Sequence, residues 1–230
     1  LNTPLILYKT VIVNKINTMN NTVMITECLN DFISENEITL SESDAFELYT
    51  LYLLNKKSNL SAEDLMSAVV DGSSDGGIDS FLLMVDEFVI NSDEELEAIT
   101  VKSDSTIKVV IGQSKFNNKF SEDVVNKFFI SMDSVWNLEI ENDDLINIFN
   151  EQLVERIIWF RAIWRKAVIK GAQINIQFYY GCISNEIHQS DTFKAKKEKI
   201  IEQAKTQVHQ AVVSFDLFSA EELLGLHSEK

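Results

Sequence analysis

The chain has 230 residues, 45% hydrophobic and 24% charged, enough apolar content for a full core and ordinary for a globular protein. One Pro and 7 Gly exclude a collagen-like segment or a long low-complexity linker, and no apolar run approaches the roughly 20 residues that span a bilayer. The formal net charge of -16 excludes a surface clothed in basic residues for nucleic acid, but leaves room for local cationic patches.

The chain opens on Leu1 rather than Met, the expectation for a processed or excised piece. Its early runs, Leu5-Ile6-Leu7 and Val11-Ile12-Val13, are split by Tyr8, Lys9 and Thr10 and make a poor signal peptide. Residues 23–34 predict a helix, with Ile25, Cys28, Leu29, Phe32 and Ile33 on one face. A cap at Ser41 or Ser43 predicts a second helix, filled by Phe46, Leu48, Tyr49, Leu51 and Leu54. Ser61-Ala62-Glu63-Asp64 reads as a capping box with Asp in place of Glu. A turn runs from Asp71 to Gly77. Strands are expected over 78–85 and 88–91, then an exposed acidic segment over 92–105, then a third strand over 106–113, the three arranged antiparallel.

The second half is more helical. Ser121-Glu122-Asp123 opens a helix carrying Val124, Val125, Phe128, Phe129 and Met132. Asp143 or Asp144 opens a longer one reaching residue 168, with Ile146, Phe149, Leu153, Ile157, Phe160, Ile163 and Trp164 as its apolar face and Gly171 as its stop. A strand over 174–183, a polar helix over 191–208 and a last strand over 212–218 complete an α/β order with no internal repeat and no clear domain boundary. Arg156, Arg161, Arg165, Lys166 and Lys170 form one basic group; Lys194, Lys196, Lys197 and Lys199 form another. Each reads first as a solvated helix face. Cys28 and Cys182 have no CxxC partner, which predicts buried apolar thiols in a reducing cytosol. His188, His209 and His227 lack ligand spacing, and Trp136, Trp159 and Trp164 fit helix cores.

Two stretches carry chemistry. Asp75-Gly76-Gly77-Ile78-Asp79 puts a carboxylate just after a flexible turn, at the edge of an apolar run. Ile111-Gly112-Gln113-Ser114-Lys115 puts an amide oxygen and an ammonium two residues apart, on one strand face. Mg²⁺ takes oxygen ligands and one or two carboxylates, so Asp79, Gln113 and the Ser114 backbone carbonyl are candidate metal ligands, with Glu47 of the upstream helix as an extra carboxylate. Lys115 beside such a site can stabilise charge developing on phosphorus. Taken singly, Asp79 also fits a turn residue, and Lys115 and Glu47 fit solvated charges.

These residues resemble the PD-(D/E)XK superfamily, the restriction-endonuclease-like fold. The helix with Glu47, the strand with Gly77-Ile78-Asp79, the strand with Gln113-Ser114-Lys115 and the helix after Ser121 are similar in order to that core. The nearer resemblance, motif-specific over residues 46–127, is to the N-terminal nuclease-like region of abortive-infection phage-resistance (AIPR) proteins, which carry a similar Gly-Ile-Asp and Gln-x-Lys pair. The resemblance implies a single nuclease-like domain over 1–230: an N-terminal extension over 1–40, a motif-bearing core over 41–135, and a helical elaboration with the remaining strands over 136–230. The implied fold is a mixed central sheet flanked by helices, with added helices. The implied activity is a Mg²⁺- or Mn²⁺-dependent cytoplasmic phosphodiesterase in antiphage defence, acting on DNA or RNA. Asp79 would bind metal, Gln113 would stand at the second ligand position, Lys115 would aid the nucleophile and Glu47 would complete the site. The wider superfamily has Glu or Asp where this chain has Gln113. AIPR proteins are much longer, which implies a C-terminal partner region; a homo-oligomer stays open, and no membrane is expected. A recognition or assembly module with a silent site is the competing expectation.

Overall fold

The computed structural model describes residues 20–70, 72–117 and 119–229; the two early apolar runs and Asp71 of the expected turn lie outside these. Helix α1 occupies 20–35, followed by α2 (Glu42–Leu54) and α3 (Ala62–Met66). Strands β1 (Ser80–Val85) and β2 (Phe88–Val89), helix α4 (Asp93–Ala98) and strand β3 (Thr106–Lys115) come next. Then follow α5 (Asp123–Trp136), α6 (Asn142–Leu145), α7 (Glu151–Lys170), β4 (Gln173–Cys182), α8 (Asp191–Gln207), β5 (Val212–Phe218) and α9 (Ala220–Ser228).

The strands form a 5-stranded mixed sheet in the order β2-β1-β3-β4-β5. β1 pairs antiparallel with both β2 and β3, as expected, and β3, β4 and β5 run parallel. Alternation along the strands divides two cores. Phe81, Leu83, Val85, Val109 and Ile111 face α5, α7 and α8, while Leu82, Met84, Val110 and Tyr179 face α1, α2, α3 and α9. The central strand β3 is covered on both sides, which explains why its sequence is a near-continuous apolar run rather than an alternating one.

Local signals explain most helix starts. The Ser41 side chain accepts from the Asp44 amide, so Ser41 and not Ser43 is the cap of α2, and Ser61 with Asp64 forms the expected capping box. α7 ends on Gly171, which takes a left-handed φ of 72°.

The structure departs from or adds to these expectations at several points. The expected helix from Asp143 or Asp144 is two. Asn150 caps α7 through a bond from the Leu153 amide (2.9 Å), and the buried pair Phe149 and Val154 brackets that cap in the manner of a hydrophobic staple. The acidic segment over 92–105 contains α4, because Ser92 caps it and Asp93, Glu94 and Glu95 complement the positive end of the helix dipole. The carboxyl-terminal α9 was not expected at all. Arg161 is not on a solvated face: it is 1% exposed and donates to the Ser134, Val135, Asn137 and Ile140 carbonyls, closing the end of α5. Arg156 is also buried, with Nη1 on the Gln152 carbonyl at 2.6 Å. The three Trp residues are buried as expected. His227 has a partner, the Tyr49 hydroxyl, 2.8 Å from its Nδ1. Cys182 is buried and Cys28 half-buried. Among the described residues, no helix is long and apolar enough to cross a membrane.

Candidate metal-binding site at the mouth of β1 and β3

Asp79 stands immediately before β1 and is held by backbone on both sides. Its amide donates to the Gly112 carbonyl (2.9 Å), and its carbonyl accepts from the Val70 amide (2.9 Å). The carboxylate is 4% exposed. Its Oδ2 accepts from the Ser114 amide at 2.9 Å and faces Lys115 Nζ at 3.4 Å, while Gln113 Nε2 stands 3.4 Å from Oδ1. The expected trio of Asp79, Gln113 and Lys115 is therefore brought together.

Strand geometry explains the convergence. Gln113 and Lys115 alternate with Ser114, so both side chains lie on the Asp79 face. The Ser114 amide points towards Asp79, and in a strand a residue's N–H and C=O share an edge. The Ser114 carbonyl is thus directed to the same mouth, beyond the start of β1.

Glu47 reaches this end of the sheet from the other layer. A Cβ on Gly181 would lie 2.9 Å from Thr50 Cγ2, so the bare backbone of β4 lets α2 settle closely on the sheet. Gly181 pairs with Ser114, and Glu47 precedes Thr50 by almost one turn. A similar close approach occurs at Gly112, where a Cβ would meet the Tyr179 ring at 1.9 Å. Tyr179 crosses beneath β3 to share a 2.7 Å hydrogen bond with Ser80. This support of the site was missed from sequence, although a glycine inside an apolar strand run is its signal.

Both carboxyls resist ionisation. Burial pushes Glu47 up to about 9, aided by the negative charges of Asp79 and Asp44 and opposed by Lys115. Burial also raises Asp79, against the pull of Lys115 and the Ser114 amide. Burial and mutual repulsion thus hold both groups towards their neutral forms, and a divalent cation bound between them would favour the ionised forms instead.

Gln113 gives an independent indication. The residue is 2% exposed, and its Oε1 has no hydrogen-bond partner while its Nε2 faces Asp79. A buried acceptor left unpaired is costly, and it is the kind of oxygen a hard cation uses. Asp79, Gln113 Oε1 and the Ser114 carbonyl could hold Mg²⁺ or Mn²⁺, with Glu47 near enough to Asp79 for their charges to repel. The donor set is lean in charge: among the described residues no three His, Cys, Asp or Glu side chains group to hold a metal.

Comparisons with family models, curated proteins and solved structures give no match for this chain.

Proposed function

We propose that the chain is a metal-dependent phosphodiesterase acting on nucleic acid, built on a restriction-endonuclease-like core of the PD-(D/E)XK kind. The resemblance of its Gly-Ile-Asp and Gln-x-Lys motifs to the nuclease-like region of AIPR antiphage proteins supports this reading. The observation that carries this reading is the Asp79 carboxylate, gripped by the Ser114 amide and Lys115, beside the unpaired Gln113 oxygen. The antiparallel β2-β1-β3 set, followed by helices and a parallel strand, supports the fold part of the reading.

In this account Asp79, Glu47, Gln113 and the Ser114 carbonyl would hold Mg²⁺, which would supply Lewis-acid charge for phosphoryl chemistry. Lys115, whose side chain is 38% exposed, reaches solvent from the same mouth. Its ammonium orients an attacking water and offsets negative charge growing on the phosphoryl oxygens. Asp79 in turn fixes the Lys115 head. The ladder under both residues keeps them in place, so little reorganisation accompanies attack.

A second reading, a silent recognition or assembly module, is favoured by Gln113, which leaves one negative charge fewer than a carboxylate there. Cleavage of labelled DNA and RNA with Mg²⁺ or Mn²⁺, against a chelator control, tests the two. Metal-dependent cutting that disappears in Asp79→Ala supports the enzyme. No cutting together with no metal binding supports the module.

A further inference from the structure

Helix α5 packs its Lys127 over the turn that leads into Asp79. A Cβ on Gly77 would sit 2.8 Å from Lys127 Cβ and 2.9 Å from its Cδ, so the lysine stem lies across the bare Gly77 backbone, two residues before Asp79. Gly77 has a φ of 80°, and the Asp75 carboxylate turns back to accept its amide at 2.6 Å. Asp75 is thereby engaged with backbone, and no carboxylate of the described residues forms an ion pair with Lys127.

Lys127 is exposed, and among the described residues its ammonium is left without an ion pair in a chain with 36 acids and 20 bases. It is not alone. Lys196 of α8 is drawn onto Asn126, the residue before Lys127. Ile130, 72% exposed, stands one turn further along α5. Lys127, Ile130 and Ser131 wall a cavity of about 290 Å³ whose other side is Asp75, Gly76 and Gly77. Lys127 brings a cation and Ile130 an apolar side chain to this lining, the two kinds of contact a sugar–phosphate strand takes.

We propose that Lys127 is a substrate-binding residue that holds a second phosphate of a polynucleotide, next to the one presented to Asp79 and Lys115, with Ile130 under the intervening sugar or base. This rests on the nuclease reading and specifies its substrate as a strand rather than a mononucleotide. Lys127 takes no part in bond breaking; its contribution is affinity and register.

Salt dependence of binding isolates that contribution. Fluorescent single-stranded DNA, single-stranded RNA and duplex DNA are titrated with the full chain in chelator, over a range of salt concentrations. Lys127→Met keeps the stem on Gly77 and removes only the charge; Lys127→Arg restores it. Lys102→Met, at the opposite end of β3, is the control. For the strand that wild type binds, Lys127→Met should weaken binding about tenfold at low salt and flatten the log–log salt slope by about 0.7–0.9, with Lys127→Arg recovering both. A merely structural role would not move the slope. An unchanged slope in Lys127→Met, or an equal change in Lys102→Met, overturns the contact. Failure of wild type to bind any of the three overturns it as well. Metal-dependent cleavage by wild type together with an unchanged Lys127→Met slope leaves the nuclease reading standing and removes only Lys127 from it.

Discussion

The Ser114 amide donates to the Asp79 carboxylate at 2.9 Å, so the mouth of the β1–β3 ladder is closed by a side chain where the next backbone partner would be. The same bond turns the Ser114 carbonyl towards the Asp79 carboxylate. If Mg²⁺ or Mn²⁺ binds there, it stabilises the native state, because the unfolded chain lacks the site. Metal at a hundredfold excess over its dissociation constant should add about 2.7 kcal/mol to unfolding, and Asp79→Ala should remove the gain. Thermal unfolding with and without metal measures it. An equal gain in Asp79→Ala would place the cation elsewhere.

Glu47 has the opposite effect on the metal-free protein. Its folded carboxyl is pushed up to about 9 from an ordinary 4.5, so between these values the native state holds a proton that the unfolded chain has lost. Stability from this group is fully present below the lower value and falls as pH rises through the window. Glu47→Gln should flatten that fall and raise stability at neutral pH without metal, while weakening the response to Mg²⁺. Urea unfolding across the window checks the sign. A steeper fall in the variant would contradict the burial-and-repulsion account.

Gly112 supports the site from below by admitting the Tyr179 ring. Its alanine variant places a methyl 1.9 Å from that ring, which must leave both the strand and Ser80. A loss of about 3 kcal/mol is expected, with cleavage falling alongside. Unfolding curves within a few tenths of wild type would show that Tyr179 is free to move.

Arg161 is a fourth test, remote from the chemistry. Arg161→Met leaves the Ser134, Val135, Asn137 and Ile140 carbonyls without their donor and should cost roughly 3 kcal/mol. Arg161→Lys should recover only part of that, since an ammonium cannot span all four. Full recovery by lysine would reduce the role of Arg161 to charge at a helix end.

The Asp79, Gln113 and Lys115 trio was legible because each stands at the edge of an apolar run, and a period of two places the last two on one face. Glu47 was legible as a residue type only. Its proximity depends on Gly181 yielding to Thr50, a contact between segments far apart in sequence. The break before α7 turns on Asn150, a cap that seven apolar positions at helical spacing concealed. α9 carried its own signal, the Ser219 and Glu222 capping box, with Ala220 and Leu223 buried behind it. Arg161 was misread because sequence shows a charge but not the carbonyls around it.

The central claim is that Asp79 and Lys115 are parts of one phosphodiesterase site. Its most direct test is the rate of Mn²⁺-dependent cleavage of plasmid DNA and single-stranded RNA, wild type beside Lys115→Ala. The account predicts cutting of at least one substrate by wild type and a loss of about a hundredfold or more in the variant, with unfolding still cooperative. Equal cutting by both proteins would contradict it.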